Sequence, residues 1–494
     1  MVEYAAPLMF AGLIVFLLIG FPVAFSLAAL GLSAAFIGVE LGFFPMTFVE
    51  GMPFRIFDIL SRELLLSVPF FTFMGALLER CGLAEDLLEG VGQLFGGLPG
   101  GVAIGVILVG AILGAITGTV AASVIAMGMI SLPVMLRYGY DMRIATGVIA
   151  ASGTITQLIP PSLVLIILAD QLHTPVSDMY AGAMGPSLVQ VLLFIAFIVF
   201  VALTRPDKVP PLPPEARTQR GWPLIKRVLW GMLPSVALIF LVLGTIFMGL
   251  ATPTEAGAMG AVGAMVLAAL HKRLTWKLVW EGMQSTMEIT TMVVFILIGS
   301  TMFTLVFQGM HGNHWVESLV TSLPGGVIGF LIFVNLLIFV LAFFLDFFEI
   351  AFILIPLLTP VAQKLGIDLV WFGVLICITM QTAFMHPPFG FALFYLRGIA
   401  PKDVKSGDIY RGAIPWLGLQ LLMALIVIFW PGLVTGMLDK LAVIDADKVK
   451  IELPALPYAP YAAPDEVQGG PEASVENDAE ARSISKTLRA PRGY

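Results

Sequence analysis

Charge is scarce in this 494-residue chain. Asp, Glu, Lys and Arg together supply 12% of it, about half the ~25% of a soluble domain. With 59% hydrophobic residues and a mean hydropathy of +0.97, water cannot be the chain's main solvent, and a soluble fold is excluded. Cysteine is nearly absent: Cys81 and Cys377 lie far apart in or beside apolar runs, so no disulfide or thiolate–metal framework is indicated. No Gly-Lys dipeptide occurs, which removes the phosphate-binding loop and a built-in ATPase. There is no His-Glu-x-x-His pair, and the five histidines are scattered. The start, Met1-Val2-Glu3-Tyr4, lacks the basic region of a cleaved signal peptide, so the first apolar segment is expected to be retained. What remains is a polytopic membrane protein that would draw its energy from an ion gradient or another subunit.

The apolar runs carry a duplication. Leu98-Pro99-Gly100-Gly101-Val102 returns as Leu323-Pro324-Gly325-Gly326-Val327, 225 residues later. Pro133, Gly139, Asp141, Pro160 and Pro161 return as Pro360, Gly366, Asp368, Pro387 and Pro388, 227 later. Asp178-Met179-Tyr180 returns as Asp408-Ile409-Tyr410, 230 later. The repeated unit is about half the molecule, far longer than a solenoid repeat. Helix breakers in matching positions of two apolar halves point to a secondary transporter.

A transmembrane helix needs about 20 apolar residues. Residues 7–38 are read as two crossings broken at Gly20-Phe21-Pro22, followed by crossings at 64–80 and 184–204. The second half repeats this at 229–250, 255–271, 285–308 and 412–436. Four stretches are interrupted. Those at 102–136 and 329–364 are taken as re-entrant hairpins, those at 143–170 and 370–398 as broken crossing helices. Each half then has five crossings, an odd number, so the second half is inverted. The domains are a first repeat at 1–204, a Pro-rich linker at 205–228, a second repeat at 229–436 and a polar tail at 437–494, expected to be disordered.

Basic residues support this arrangement. Placing the linker, with Arg205, Lys208, Arg217, Arg220, Lys226 and Arg227, in the cytoplasm fixes every other loop. Sixteen basic residues then fall inside, and only Arg55, Arg62 and Lys364 outside, with the tail set aside. Both termini are expected on the outer face.

Irregular backbone at membrane depth is tolerated only where it is buried in protein or lines a wet cavity. Breaks are expected at 115–122, 152–162, 342–349 and 381–390, paired by the repeat. Thr117, Thr119, Ser152, Thr154 and Thr156 offer hydroxyls, and Gly118 and Gly153 let a ligand approach the backbone. Each proline frees the carbonyl four residues earlier, those of Thr156, Gln157, Ala383 and Phe384. Such oxygens suit a hard cation such as Na⁺, and half-helix N-termini suit an anion. Asp346 and Glu349 have capping-box spacing, which fits a capped half-helix or direct cation ligation. Thr252-Pro253-Thr254-Glu255 reads as a cap. His386, just before Pro387-Pro388, is a functional candidate or a neutral, hydrogen-bonded residue.

These residues resemble the large membrane subunit (DctM-type) of tripartite ATP-independent periplasmic (TRAP) transporters. The resemblance covers about 5–435. It is carried by Leu98-Pro99-Gly100-Gly101, the Gly-rich segment 114–128, Tyr138-Gly139-Tyr140-Asp141, Ile159-Pro160-Pro161-Ser162, Thr252-Pro253-Thr254-Glu255-Ala256, Leu345-Asp346, Pro356 with Pro360, Leu365-Gly366-Ile367-Asp368 and Pro387-Pro388-Phe389-Gly390. It implies an all-α, elevator-type transporter of about ten crossings and two re-entrant hairpins in a bacterial inner membrane. It further implies Na⁺-driven import of organic acids, usually carboxylates, with a small four-helix membrane subunit and a periplasmic solute receptor. Na⁺ would be the coupling ion, with no other cofactor. The implied sodium sites join Thr117, Gly118 and Thr119 to Thr156, Ile159 and Pro161, and Ala342 and Asp346 to Ala383, His386 and Phe389. Where the family often has Thr before the second Pro-Pro this chain has His386, and Ala383 replaces a Gly. His386 is therefore expected either to line the substrate pocket or to alter ion coupling. The other readings are a stand-alone Na⁺–dicarboxylate symporter of related fold, which needs no receptor, and an intramembrane enzyme, for which no catalytic dyad is seen.

Overall fold

A computed structural model describes residues 2–438 apart from Gly118, 218–220, 322–323, Phe344 and Phe389. The side chain of Thr117 and nearly all of the polar tail also lie outside the described residues. Every regular element among the described residues is a helix.

The first break falls as expected. α1 (Val2–Ile19) ends at Gly20, whose φ of +87° is a left-handed C-terminal cap that suits glycine, and Pro22 precedes α2 (Val23–Glu40). Two short helices follow, α3 (Met46–Glu50) and α4 (Met52–Leu60). α5 (Ser67–Arg80) has 14 residues, about 21 Å. The 3₁₀ turn Glu63–Leu66 adds about 8 Å. The crossing expected at 64–80 thus reaches the ~30 Å of a hydrocarbon core only with both pieces. α6 (Leu83–Phe95), which the sequence reading left unassigned, precedes the hairpin arms α7 (Gly101–Thr117) and α8 (Val120–Arg137). α9 (Met142–Thr154), a 3₁₀ turn at Ile155–Gln157 and α10 (Leu163–Leu172) form the broken helix, and α11 (Val176–Thr204) closes the half.

The same order follows the linker. α12 (Trp222–Phe247) leads to α13 (Pro253–Leu270), which starts with the Thr252–Glu255 capping box read from sequence. α14 (Trp276–Gly309) has 34 residues, and α15 (Gly312–Thr321) is the counterpart of α6. α16 (Gly326–Leu341) and α17 (Phe347–Lys364) are the second pair of arms. α18 (Leu369–Met380), a 3₁₀ turn at Gln381–Phe384 and α19 (Phe391–Ile399) form the second broken helix, before α20 (Ser406–Phe429) and α21 (Gly432–Thr435).

Repeated residues do the same local work twice. The Asp141 carboxylate accepts the Arg143 N–H at 2.9 Å and caps α9, while the Asp368 carboxylate accepts the Trp371 N–H at 2.8 Å and caps α18. Both Pro-Pro bonds, Pro160–Pro161 and Pro387–Pro388, are cis. Among the described residues, eight helices, α2, α8, α11, α12, α13, α14, α17 and α20, are long and apolar enough to cross a membrane. Shorter apolar helices supply the first hairpin arms and halves of the broken helices. Large apolar side chains such as Leu203, Phe240 and Leu270 are exposed on the outer surface, as lipid-facing residues are.

The packing crosses between the halves. α2 packs on α14 and α5 on α13; α10 lies against α17 and α19 against α8. One buried core gathers α10 with α16, α17 and α18, and another gathers α19 with α7, α8 and α9. Each half-helix beyond a Pro-Pro pair is therefore packed into the other half's hairpin region.

One expectation is corrected. Ser152-Gly153-Thr154 does not interrupt its helix: α9 runs through Thr154, and the irregular backbone begins at Ile155. The small residues there serve close packing. A Cβ on Gly153 would stand 2.2 Å from Cγ2 of Val124 in α8, and a Cβ on Gly110 would stand 2.7 Å from Cβ of Ser152.

Candidate functional site

Both hairpin tips and both broken helices reach one cavity of about 270 Å³. The first tip contributes Thr119, Val120 and Ala121, and the second contributes Asp346, Phe347 and Phe348. From the first broken helix come Gln157, Leu163 and Val164; from the second, Phe384, Phe391 and Tyr395. Ile289 and Met292 of α14 complete the wall.

The two tips start their second arms differently. Thr119, with extended backbone (φ −125°), stands at the N-cap of α8 and makes no side-chain cap bond. Asp346 occupies the matching place on α17 and forms a full capping box: Oδ1 accepts the Glu349 N–H, and the Glu349 carboxylate accepts the Asp346 N–H, both at 2.9 Å. Asp346 is the one charged side chain among the described residues of the cavity wall.

The breaks are held by side chains where proline removes helix bonds. The Gln157 carbonyl, freed by Pro161, accepts the Ser162 hydroxyl at 2.5 Å and lies 3.4 Å from the Cys377 thiol. The Leu158 carbonyl accepts the Ser187 hydroxyl at 3.0 Å. At the second break the Gly390 N–H bonds to the His386 carbonyl at 2.6 Å, and a Cβ on Gly390 would lie 2.5 Å from the Phe384 carbonyl oxygen.

Of the residues predicted from sequence, Thr119 and Asp346 line the cavity. Ser152, Thr154, Thr156, Pro161, Ala342 and Ala383 are buried and do not line it, and Ile159 is half-buried. Gly153 lies in the α8–α9 contact. Gly118, Phe389 and the side chain of Thr117 fall outside the described residues. The Thr156 hydroxyl is buried without a hydrogen-bond partner among the described residues, as is that of Ser152. Gly114 makes room for Thr156, whose Cα would lie 2.8 Å from an added Cβ there. His386 is 1% exposed and does not reach the described wall. Its ring lies between Phe339 (4.1 Å, edge-on) and Phe343 (4.4 Å, stacked), and neither ring nitrogen has a hydrogen-bond partner among the described residues.

Sequence reasoning named Gln157 for its freed carbonyl but not for its side chain, and did not assign a wall position to Tyr395, Ile289 or Met292. Gln157 carried a signal, as an amide side chain inside the break, and its Oε1 is buried and unpartnered among the described residues. Nothing local marks the α14 pair, which only tertiary packing brings there. No group of three or more His, Cys, Asp or Glu residues that could hold a metal ion exists among the described residues. The donors here are hydroxyl, carbonyl and carboxylate oxygens, which suit a hard monovalent or divalent cation rather than a soft one.

An all-helical membrane bundle in which discontinuous helices meet at one cavity is the architecture of a membrane transporter. Residues 10–433 match the family described as "Tripartite ATP-independent periplasmic transporter, DctM component", and the chain belongs to that family. It is therefore a transporter large permease rather than an enzyme. It is 30% identical to the C4-dicarboxylate TRAP transporter large permease protein DctM of Pseudomonas aeruginosa, over 82% of this chain and 92% of that one. It is 26% identical to the isethionate TRAP transporter permease protein DctMQ of Oleidesulfovibrio alaskensis, over 86% of this chain and 65% of that one. It is 28% identical to the ectoine/5-hydroxyectoine large permease UehC of Ruegeria pomeroyi, over 86% and 97%. Among solved structures, the YdaH transporter of Alcanivorax borkumensis, described as having an unusual topology, shares the fold at 14% identity with a TM-score of 0.54, covering 74% of this chain and 84% of that one.

Proposed function

We propose that the chain is the permease of a Na⁺-coupled importer of a small organic acid, fed by a periplasmic receptor and completed by a small four-helix membrane subunit. The observation that carries Na⁺ coupling is the charge of the tip cavity. Its described wall has one carboxylate, Asp346, and no Lys, Arg or His. An organic anion entering beside Asp346 in a low-dielectric site meets a like charge. A cation must accompany it. Thr119, the orphaned Thr156 hydroxyl and Asp346 are the side chains that would help hold Na⁺, together with backbone carbonyls of the tips and breaks. The fused name DctMQ of one relative supports a second membrane subunit, and relatives named for dicarboxylates and isethionate support an organic anion. Transport in this reading is an elevator movement of the two hairpins and two broken helices against α14 and its neighbours, in an inner membrane with both termini outside.

A zwitterion is the second reading, because the lone Asp346 also suits a cationic group and one relative is named for ectoine. The test begins with a thermal-shift ligand screen on the cognate receptor. Uptake of its ligand is then measured in vesicles that hold the whole system. Uptake is expected to need an inward Na⁺ gradient and to vanish when choline replaces Na⁺. Undiminished uptake in choline, or uptake driven by a pH gradient alone, removes Na⁺ coupling.

A further inference from the structure

A second cavity, of about 320 Å³, lies along the same seam between α14 and α17 as the tip cavity. The tip cavity touches Met292 and Phe348, whereas the second begins at Leu297 and Phe352. Five residues of α14 and four of α17 separate the two, about 6–8 Å of helix. The chemistry changes over that distance. Arg55 and Arg62 enter the second wall with Gln171 and His173, and no Asp or Glu is among the described residues that line it. α14 turns a polar stripe toward it, Ser300, Thr304 and Gln308, at i, i+4 and i+8 on one face. The Thr304 hydroxyl is buried there with no hydrogen-bond partner among the described residues.

The two arginines differ in how free they are. Arg62 is tied to Asp170 at 3.2 Å and to Asp58 at 3.4 Å. Arg55 is exposed and makes no ion pair among the described residues. A guanidinium is a planar fork of donors suited to a carboxylate or sulfonate. An unpaired one in a wall whose described residues include no carboxylate but do include a buried orphan hydroxyl favours an anionic guest. The volume is that of a small-molecule site.

We propose that the α14–α17 cavity is a second binding site for a small organic anion, held by Arg55, Thr304 and Gln308. It serves as a station on the same seam as the tip cavity. The site supplies the positive charge that the tip cavity lacks. An anion would be gathered there by arginine and then transferred to a cavity where a cation must replace that arginine. The ligand class rests on the organic-anion reading above; the position of the site does not.

The test uses the full-length protein in lipid nanodiscs, with a single cysteine at the cavity, Thr301→Cys. The native Cys81 and Cys377 are buried, so background labelling is low. Labelling rates are measured with sulfonatoethyl and trimethylammonioethyl methanethiosulfonates, each normalised to its rate with free mercaptoethanol. The anionic reagent is expected to react at least threefold faster. Arg55→Gln should abolish that preference, and Lys402→Gln, an exposed residue before α20 that is outside the cavity lining, should keep it. Succinate or isethionate at 10 mM (on the order of a weak site's Kd) should slow labelling by both reagents at least twofold, but not in Arg55→Gln. A normalised ratio of one or less, an equal loss in Lys402→Gln, or no protection by either anion overturns the proposal. Because no Na⁺ or uptake enters this measurement, failure of Na⁺-driven transport with the preference intact removes only the coupling reading.

Discussion

Gln190 in α11 donates from Nε2 to Oε1 of Gln381, 2.7 Å away at the start of the second break. Gln420, 230 residues after Gln190 and in α20, donates to Thr154 Oγ1 at 2.8 Å. Thr154 lies 227 residues before Gln381. The two bonds are thus one bond made twice. In each, an amide on the last long helix of one half holds the edge of the other half's break, and all four side chains are fully buried. This cross-tie keeps two unwound segments in register although neither has a regular helical ladder to do so.

The two ties should differ in strength. Gln420→Leu leaves the Thr154 hydroxyl donating to the Ala151 carbonyl at 2.9 Å, so little is orphaned. Gln190→Leu leaves the Gln381 amide buried without its partner, at a cost of about 1–3 kcal/mol. Thermal unfolding in detergent should show a larger loss for Gln190→Leu than for Gln420→Leu. Adding Gln381→Leu to Gln190→Leu should recover part of it. A reversed order, or purely additive losses, contradicts the cross-tie.

The duplication itself was legible because proline and glycine are punctuation: the Pro-Pro pairs, the Leu-Pro-Gly-Gly starts and the two capping aspartates all stand where the repeat put them. The depth of the breaks was less legible. Ser152-Gly153-Thr154 looked like an interruption because small polar residues loosen a helix in isolation, yet here they let α7 and α8 approach α9. Its counterpart uses other means. Where Gly110 yields to Ser152, Asn335 forms a hydrogen bond with Thr379. Side-chain identity diverged while the packed distance was kept, so pairing by sequence alone misses it. α6 and α15 were passed over since each is short and flanked by longer apolar runs. The cavity wall was half legible: Thr119 and Asp346 sit at breaks, whereas Ile289 and Met292 sit in an unbroken span and are brought there only by packing.

Thr156→Val should separate ion binding from stability. The two side chains are nearly the same size, and the hydroxyl is buried without a described partner. Removing it should leave the Na⁺-free protein as stable or raise its stability by about 1 kcal/mol. If Thr156 helps hold Na⁺, the same change should shrink the rise in unfolding temperature that Na⁺ produces, since that rise tracks occupancy of the folded state. Equal Na⁺ stabilisation of wild type and Thr156→Val removes the residue from the ion site.

Gly114→Ala tests the same contact from the other side. The added Cβ would meet Thr156 Cα at 2.8 Å and Cγ2 at 3.0 Å. Backbone must move, at a cost of about 1–3 kcal/mol for overpacking. Combining it with Thr156→Ser relieves only the Cγ2 contact, so the pair should recover less than half of the loss. Full recovery would mean that α7 and the break are less tightly opposed than the geometry implies.

Asp346 has two duties, and two substitutions part them. Asn is about as good an N-cap as Asp, so Asp346→Asn should keep the start of α17 and its unfolding temperature while removing the wall's one charge. Asp346→Ala loses the cap as well, at about 0.5–2 kcal/mol. If the carboxylate is what makes an anion need a cation, Asp346→Asn should fold normally and weaken the dependence of uptake on Na⁺ by about tenfold or more. Asn transporting with wild-type Na⁺ dependence, while Ala fails, would leave Asp346 a cap alone.

His386 is where this copy departs from its partner, and its surroundings decide between pocket and packing. The ring lies between Phe339 and Phe343, and the cavity is met from this break by Phe384 instead. A role in substrate contact therefore predicts an effect that the geometry does not supply. His386→Thr should leave the KM for substrate within about twofold, yet lower the unfolding temperature, because a large ring between two others gives way to a small side chain at a cost of about 2–5 kcal/mol. His386→Phe should restore most of that stability, since the ring nitrogens make no hydrogen bond among the described residues. Phe343 sits two residues from Leu345 and three from Asp346, so any transport effect of His386→Thr should appear in Na⁺ dependence through the tip, and Phe should rescue it too. A KM shift that Phe does not rescue would place the imidazole in contact with substrate.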